Sequence, residues 1–308
     1  MTMKPSLKIE KSKLRLPETE LFGPGSRACA GCGELLAVRH ALKATGSNSI
    51  VVSATGCMEV ISSPYPESAW KTPWIHSLFE NAAAVASGVE SALKALGKSG
   101  IRVVVMGGDG ALADIGFGAV SGALDRRQSL TYILTDNEAY MNTGIQSSGT
   151  TPYGAWTTTT PAGAVKKGKE TPKKDLVRIM LGHGVQYIAT ASIAYPIDLV
   201  NKVKKAVSVD GPSFVHISCP CPIGWHFPPE KTVEIARLAV DTGMWIIYEV
   251  ERGILRITYK PDRLKPVRDY LVLQGRFEHL SDADIEKIQS DCTKSYENLV
   301  NRDGKSLI

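Results

Sequence analysis

The stretch MGGDGALADIGFGAVSGALDRRQSLTYILTDNEAYMNTG, residues 106–144, decides how this chain of 308 residues is read. An apolar run over residues 102–106 meets a glycine turn that carries Asp109. A segment rich in Ala, Gly and Leu follows and ends near Asp125. A second apolar run, residues 130–134, then stops at Asp136-Asn137. Strand, helix and strand in that order make a βαβ unit, the crossover that parallel strands require. Asp109 and Asn137 then stand at the carboxyl ends of two strands of one sheet, the edge where open α/β sheets collect ligands.

The residue types at that edge point to a class of ligand. A carboxylate and a side-chain amide are hard oxygen donors, and Mg²⁺ takes few protein ligands, completing its octahedron with phosphate oxygens and water. Gly107, Gly108 and Gly110 let the backbone approach a diphosphate closely, and the helix that follows turns its positive end towards the same anion.

Outward from this unit the chain keeps alternating. Residues 34–45 read as a helix with an apolar face and Gly46 as its stop, and residues 50–54 as a buried strand ending at Thr55-Gly56-Cys57. Residues 62–74, SSPYPESAWKTPW, form an irregular aromatic loop suited either to covering a site or to packing on the surface. A small-residue helix spans 81–96. Beyond the central unit come a long Thr/Gly/Lys loop (149–174), a short helix (175–181), a strand (187–191) and a helix opened by Pro196. A buried strand over 213–218 then runs into Cys219-Pro220-Cys221-Pro222. From Glu230 the pattern changes: a helix over 231–242, two strands within 245–259 around Glu251-Arg252-Gly253, and a polar terminal helix over 281–300 with Ser281 as N-cap and Asp284 at the capping-box position. The expected architecture is a doubly wound, mostly parallel α/β sheet. It divides into an arm (1–20), one ligand-binding domain (21–229) and a C-terminal extension (230–308).

Composition narrows the class. At 43% hydrophobic residues the chain is ample for a large core. Its start, MTMKPSLKIEKSKLRLP, is charged and has no apolar h-region, so no signal peptide is expected. No apolar run reaches the length of a membrane span. A cytoplasmic protein follows. The net charge of +5 gathers in patches such as KKGKETPKK (166–174), which lacks the interleaved aromatics of a nucleic-acid surface. That run reads as a solvated loop, available to dock an acidic electron carrier.

Six cysteines in a cytosolic chain point to metal or redox work rather than disulfides. Cys29 and Cys32 precede the first helix, while Cys57 and the Cys219/Cys221 pair each follow a strand. Cys29, Cys32, Cys57 and one of Cys219 or Cys221 are therefore candidates for a four-thiolate site at the same sheet edge. Either zinc or an iron–sulfur cluster fits such a set. Cys292, on the terminal helix, reads as a plain thiol, and the six histidines default to structural roles.

The stretches CAGCGE, ATGCMEV, PWIHSLFENAAAVASG, GGDGALADIG, DNEAYMNTGIQSS, ATASIAYP and CPIGWHF follow one another in order. With them, roughly residues 21–248 resemble the β subunit of 2-oxoacid:ferredoxin oxidoreductases, nearest to the pyruvate enzymes. The resemblance implies the thiamine diphosphate (ThDP)-binding fold of the PP type. It also implies Mg²⁺ on Asp109, Asn137 and the Ala139 carbonyl, and ThDP against Glu34, Cys57, Gly108, Asp109, Gly110, Ala111, Asn137, Glu138, Ala139, Tyr140, Met141 and Asn142. Asn142 is placed near the reacting thiazolium carbon. A [4Fe–4S] cluster is implied on Cys29, Cys32, Cys57 and the cysteine of C-P-x-G-W, Cys221. The sequence departs from the family at the extra Cys219 and at Ile223, where the pyruvate enzymes carry threonine. The implied reaction converts pyruvate, coenzyme A and oxidised ferredoxin to acetyl-CoA, CO₂ and reduced ferredoxin. Oxalate, 2-oxoglutarate, a branched-chain 2-oxoacid and indolepyruvate are the alternatives within the family. A non-oxidative ThDP decarboxylase with structural zinc, or a scaffold subunit without cofactor, lies outside it. The chain shows no second ThDP module and no ferredoxin-type cysteine run. An α subunit with the pyrimidine-binding domain and γ- or δ-type subunits are therefore the implied partners, together with ferredoxin.

Overall fold

β-Branched runs such as Val103-Val104-Val105 fill strands buried on both faces, and helices rich in small residues close over them. The computed structural model describes residues 16–64, 66–163 and 167–307. Among them, eight strands form one sheet: β1 (Ser49–Ala54), β2 (Trp74–Ser77), β3 (Arg102–Gly108), β4 (Leu130–Asp136), β5 (Tyr187–Ser192), β6 (Ser213–Ser218), β7 (Tyr248–Glu251) and β8 (Ile254–Ile257). Their order is β2-β1-β3-β4-β6-β5-β7-β8, parallel through β5, with the last two antiparallel. From β1 the chain moves outward to β2 and then returns to lay β3 on β1's other side. The β1/β3 crevice is therefore the point where strand order reverses, the place where such sheets bind ligands.

One face of the sheet is covered by α3 (Ala82–Ala95), α4 (Phe117–Asp125) and α5 (Leu176–Gly182); the other by α1 (Gly33–Thr45) and α6 (Pro196–Ser208), which pack on each other. Between β3 and α4 the backbone makes a π-type turn over Gly110–Ile115, closed by the Gly116 N–H donating to the Ala111 carbonyl at 3.0 Å. Such widened turns occur mostly at functional sites. Two short helices, α2 (Cys57–Ser62) and α7 (Pro222–Trp225), start at cysteines where the sequence reading had only strand ends. Helix α2 and strand β2 flank the stretch read as an irregular loop, each sharing only one end residue with it. There Trp70 and Trp74 stack 5.6 Å apart, so the loop packs on the core beside Phe22.

The C-terminal stretch adds α8 (Thr232–Asp241), β7 and β8, α9 (Val267–Leu271) and α10 (Asp282–Asn301), around a third apolar cluster. It is continuous with the sheet through the β5–β7 pairing. The capping box on α10 is present, with Ser281 and Asp284 bonding reciprocally. Residues 1–15 of the expected arm lie outside the described residues. Its last part runs along α1, where Glu20 pairs with Arg39 and with the buried Lys43. No helix among the described residues is long and apolar enough to cross a membrane.

The basic run is only in part the solvated patch its composition implied: Lys167, Glu170, Thr171 and Pro172 are exposed, but the other described lysines are engaged. Among its described residues, Lys169 is buried and donates to the carbonyls of Ser148, Gly149 and Thr151 at 3.0, 3.3 and 2.7 Å. Lys173 pairs with Glu138, Lys174 with Asp114 and Lys167 with Asp284. Those pairings tie the long loop to the core.

Candidate active site

A cavity of about 300 Å³ lies at the carboxyl ends of β1, β3 and β4, a size at the lower end of small-molecule sites. Gly108, Asp109 and Gly110 reach it from β3 and the π-type turn. Asn137, Ala139, Tyr140, Met141 and Asn142 come from the turn after β4, Cys57 from the start of α2, and Glu34 from the first turn of α1. Of the cofactor residues expected from sequence, Ala111 and Glu138 are not on its wall. Ala111 packs in the apolar layer under α3 and α4, and the Glu138 carboxylate turns away to Lys173 and Arg276. Ala54, Met58, Phe79 and Thr143 line the cavity without having been singled out beforehand, and Thr55 and Gly56, read only as a strand end, line it too.

Asp109 is 2% exposed and its Oδ2 accepts from Ser148 Oγ at 2.5 Å and from Thr150 Oγ1 at 3.0 Å. The same Thr150 hydroxyl stands 2.7 Å from Asp136 Oδ1, so two buried carboxylates crowd one proton donor. Burial, followed by the neighbouring Asp136 charge, pushes the Asp109 carboxyl well above the usual range. Burial also acts against Asp136, but Lys173 and His216, whose Nε2 lies 2.7 Å from Oδ2, outweigh it and hold that carboxyl below its ordinary value. Asp136 is therefore compensated from behind, whereas Asp109, on the cavity wall, has no ion pair among the described residues. The Asn137 Oδ1 atom is buried with no hydrogen-bond partner among the described residues. An orphaned acceptor of that kind costs about 1–3 kcal/mol. A hard divalent cation placed between them would satisfy both groups, so the residues fit Mg²⁺.

The turn that presents Asn137 is tightly held. Glu138 adopts φ +67°, a left-handed conformation costing about 1–3 kcal/mol outside glycine. Its N–H donates to Asp136 Oδ1 at 2.9 Å and its carbonyl accepts from Thr151 Oγ1 at 2.6 Å. The SSGTT stretch, residues 147–151, thus brings three hydroxyls to the site. Ser147 and Ser148 close the DNEAYMNTGIQSS stretch that resembles the family, but no role was read for any of these hydroxyls.

On the α1 side of the cavity the thiols gather. Cys57 lines the cavity, and the Gly33 N–H donates to the Pro220 carbonyl at 3.3 Å, which joins the Cys32 loop to the Cys221 loop. Burial and then the Glu34 carboxylate push the Cys32 thiol up to about 12, and the same two causes in the same order raise Cys57. Glu34 itself, buried and accepting from Thr135 Oγ1 at 2.9 Å, is pushed up by burial to about 7. Backbone donors are already aimed at two sulfurs: Leu35 N–H at Cys32 Sγ and Gly224 N–H at Cys221 Sγ, both at 3.4 Å. Gly33 permits the approach of the two cysteine loops, since a Cβ there would lie 2.5 Å from the Pro220 carbonyl oxygen. Cys219 is fully buried and donates its thiol to the Ile217 carbonyl at 3.3 Å, while Cys292 lies on α10 against Met244. Among the described residues no three His, Cys, Asp or Glu side chains are gathered tightly enough to share a single metal ion.

Residues 54–217 match the family described as the thiamine pyrophosphate enzyme C-terminal TPP-binding domain. Pyruvate synthase subunit PorB of Methanocaldococcus jannaschii is 55% identical over 283 residues, covering 90% of this chain and 95% of that protein. Ketoisovalerate oxidoreductase subunit VorB of Pyrococcus abyssi is 46% identical over 296 residues, covering 94% and 95%. Among solved structures, the 2-oxoglutarate:ferredoxin oxidoreductase from Magnetococcus marinus, with 2-oxoglutarate, coenzyme A and succinyl-CoA bound, aligns at a TM-score of 0.57. It shares 27% identity and covers 77% of this chain and 84% of its own.

Proposed function

The chain belongs to the family of 2-oxoacid:ferredoxin oxidoreductase β subunits that includes pyruvate synthase subunit PorB, and from that premise we propose how its residues divide the work. Asp109, Asn137 and the Ala139 carbonyl hold Mg²⁺, which anchors the diphosphate of ThDP against Gly108 and Gly110. Cys29, Cys32, Cys57 and Cys221 hold a [4Fe–4S] cluster. Cys221 is preferred to Cys219 because the latter is sealed in the core with its proton committed to a carbonyl.

The observation that supports this reading is the position of Cys57: it is on the wall of the same cavity as Asp109 and Asn137, while the Gly33 N–H next to Cys32 donates to the Pro220 carbonyl next to Cys221 at 3.3 Å. In this assignment one residue joins the two halves of the rim. When bound, ThDP would supply the electron sink for decarboxylating a 2-oxoacid, and a cluster on the four thiols would supply a one-electron acceptor. The chain's own residues do the rest. Asp109 and Asn137 fix the diphosphate end, Met141 and Asn142 border the reacting end, and the Leu35 and Gly224 N–H groups stabilise charge on the ligating sulfurs.

Pyruvate is the substrate the family assignment favours, with coenzyme A taking the acyl group and ferredoxin the electrons. A branched-chain 2-oxoacid is the second reading, resting on the 46% identity to a ketoisovalerate subunit. The pyrimidine end of the cofactor requires a further domain, supplied by an α subunit. Val60, Ile75, Leu78 and Ile115, large apolar residues left exposed beside the cavity-lining segments, are the surface it covers. Anaerobic purification of the complex with its native partners tests the whole reading. About four irons and four sulfides on this chain, with viologen reduced by pyruvate ahead of other 2-oxoacids, is the expected result. One zinc per chain in place of iron overturns it.

A further inference from the structure

The turn that presents Asn137 is tied directly to the helix that presents Cys221. The Trp225 indole Nε1–H donates to the Asn137 carbonyl at 2.8 Å. Trp225 ends α7, a helix of four residues whose first turn is capped by Cys221 Sγ accepting from Gly224 N–H. Gly224 itself is pressed against the cavity wall: a Cβ there would stand 2.1 Å from Met141 Sδ. The guanidinium of Arg276, 2% exposed, lies 3.7 Å from the Trp225 ring centroid. Its Nη2 is 2.7 Å from Oε2 of Glu138, the residue in left-handed conformation between Asn137 and Ala139.

We infer that Trp225, stacked with Arg276, is a positioning residue that couples the cysteine site to the Mg²⁺–ThDP site, so that each cofactor tightens the binding of the other. This rests on the assignment of the two sites given above. A single helical turn has no stability of its own, so α7 takes its place from the apolar cluster around the buried Trp225 and from what fixes Cys221 at one end and Asn137 at the other. Ligation of Cys221 would add a second anchor at the start of the helix. The fixed helix holds the indole N–H on the Asn137 carbonyl and Gly224 against Met141. Coupling between two binding sites is reciprocal by thermodynamic necessity.

A double-mutant cycle in the assembled complex tests the inference. Cys29→Ser removes a cluster ligand remote in sequence from α7, and Trp225→Phe keeps an aromatic ring while removing the N–H. Calorimetry gives the affinity for ThDP with Mg²⁺, and iron on this chain is counted alongside. Each single change is expected to weaken ThDP binding about 10-fold, the usual scale for an outer-shell partner. The double variant should be weakened by about the same factor and not by their product. Arg276→Lys, which keeps the charge but loses the fork and the stacking, should weaken ThDP binding with iron unchanged, and it replaces Trp225→Phe if that variant does not assemble. Additive losses, or single variants with wild-type affinity, overturn the inference while leaving the cofactor sites standing. If the wild-type complex binds no ThDP, or Cys29→Ser keeps its full iron, the underlying assignment fails instead.

Discussion

The two halves of the rim are built differently. Around Asp109 and Asn137 almost everything is preformed: hydroxyls from Ser148 and Thr150, a left-handed turn, and a second carboxylate compensated by His216 and Lys173. Around the thiols the loops are held mainly by backbone contacts, the sulfurs of Cys32 and Cys221 each receive one backbone N–H, and Cys29 is exposed. A magnesium site needs its few protein oxygens held rigidly, because the ion imposes its own geometry and brings water and phosphate for the rest. A four-thiolate site can leave more to the inorganic group that ties its loops together. The diphosphate half should therefore respond to single hydrogen-bond deletions by losing affinity. The thiol half should respond by losing its inorganic group.

The largest effect is expected at Asp109. Asp109→Asn should lower affinity for ThDP with Mg²⁺ by at least about 100-fold in calorimetry, exceeding what outer-shell changes cost. The cofactor-free protein should nevertheless melt no lower, because the change removes a buried charge that burial and Asp136 both disfavour. A marked fall in melting temperature would mean that the carboxylate is structural. Next, Cys57→Ser should deplete iron from this chain while the far-ultraviolet circular dichroism stays unchanged. Collapse of the α/β signal would show that the thiol half carries the fold. Ser148→Ala, which takes one donor from Asp109 Oδ2 and leaves Thr150 in place, should weaken cofactor binding about 10-fold with iron intact. The smallest change sharpens the cysteine assignment: Cys219→Ala should cost about 1 kcal/mol in chemical denaturation, through lost core packing, and leave iron content untouched. Iron lost from that variant would make Cys219 a ligand.

Much of this rim was legible in the sequence because it is local. Strand ends, the glycine turn at Asp109 and the Asp136-Asn137 stop depend on residues close together in the chain. So do the helix over Gly33–Thr45 and the Ser281 capping box, which appear within a residue or two of their expected places. What was not legible is what tertiary structure brings together. The lysines of the basic run read as solvated because composition cannot show that Lys169 will meet three carbonyls of the Ser148–Thr151 turn. Arg276 gave no signal, since its partner Glu138 is far away in sequence and lies in another part of the fold. His216 defaulted to a structural role, and only the β4–β6 pairing sets it beside Asp136. The helices α2 and α7 are too short for periodicity to reveal; their starts at Cys57 and Cys221 are visible only in three dimensions.

The central claim is that one sheet edge holds both the decarboxylating cofactor and the first electron acceptor. Electron paramagnetic resonance of the anaerobically purified complex tests it most directly, read before and after mixing with pyruvate and coenzyme A and compared with the Cys57→Ser variant. The account predicts a reduced iron–sulfur signal that develops on substrate addition and disappears in the variant. A signal that ignores substrate, or one that survives the loss of Cys57 unchanged, would contradict it.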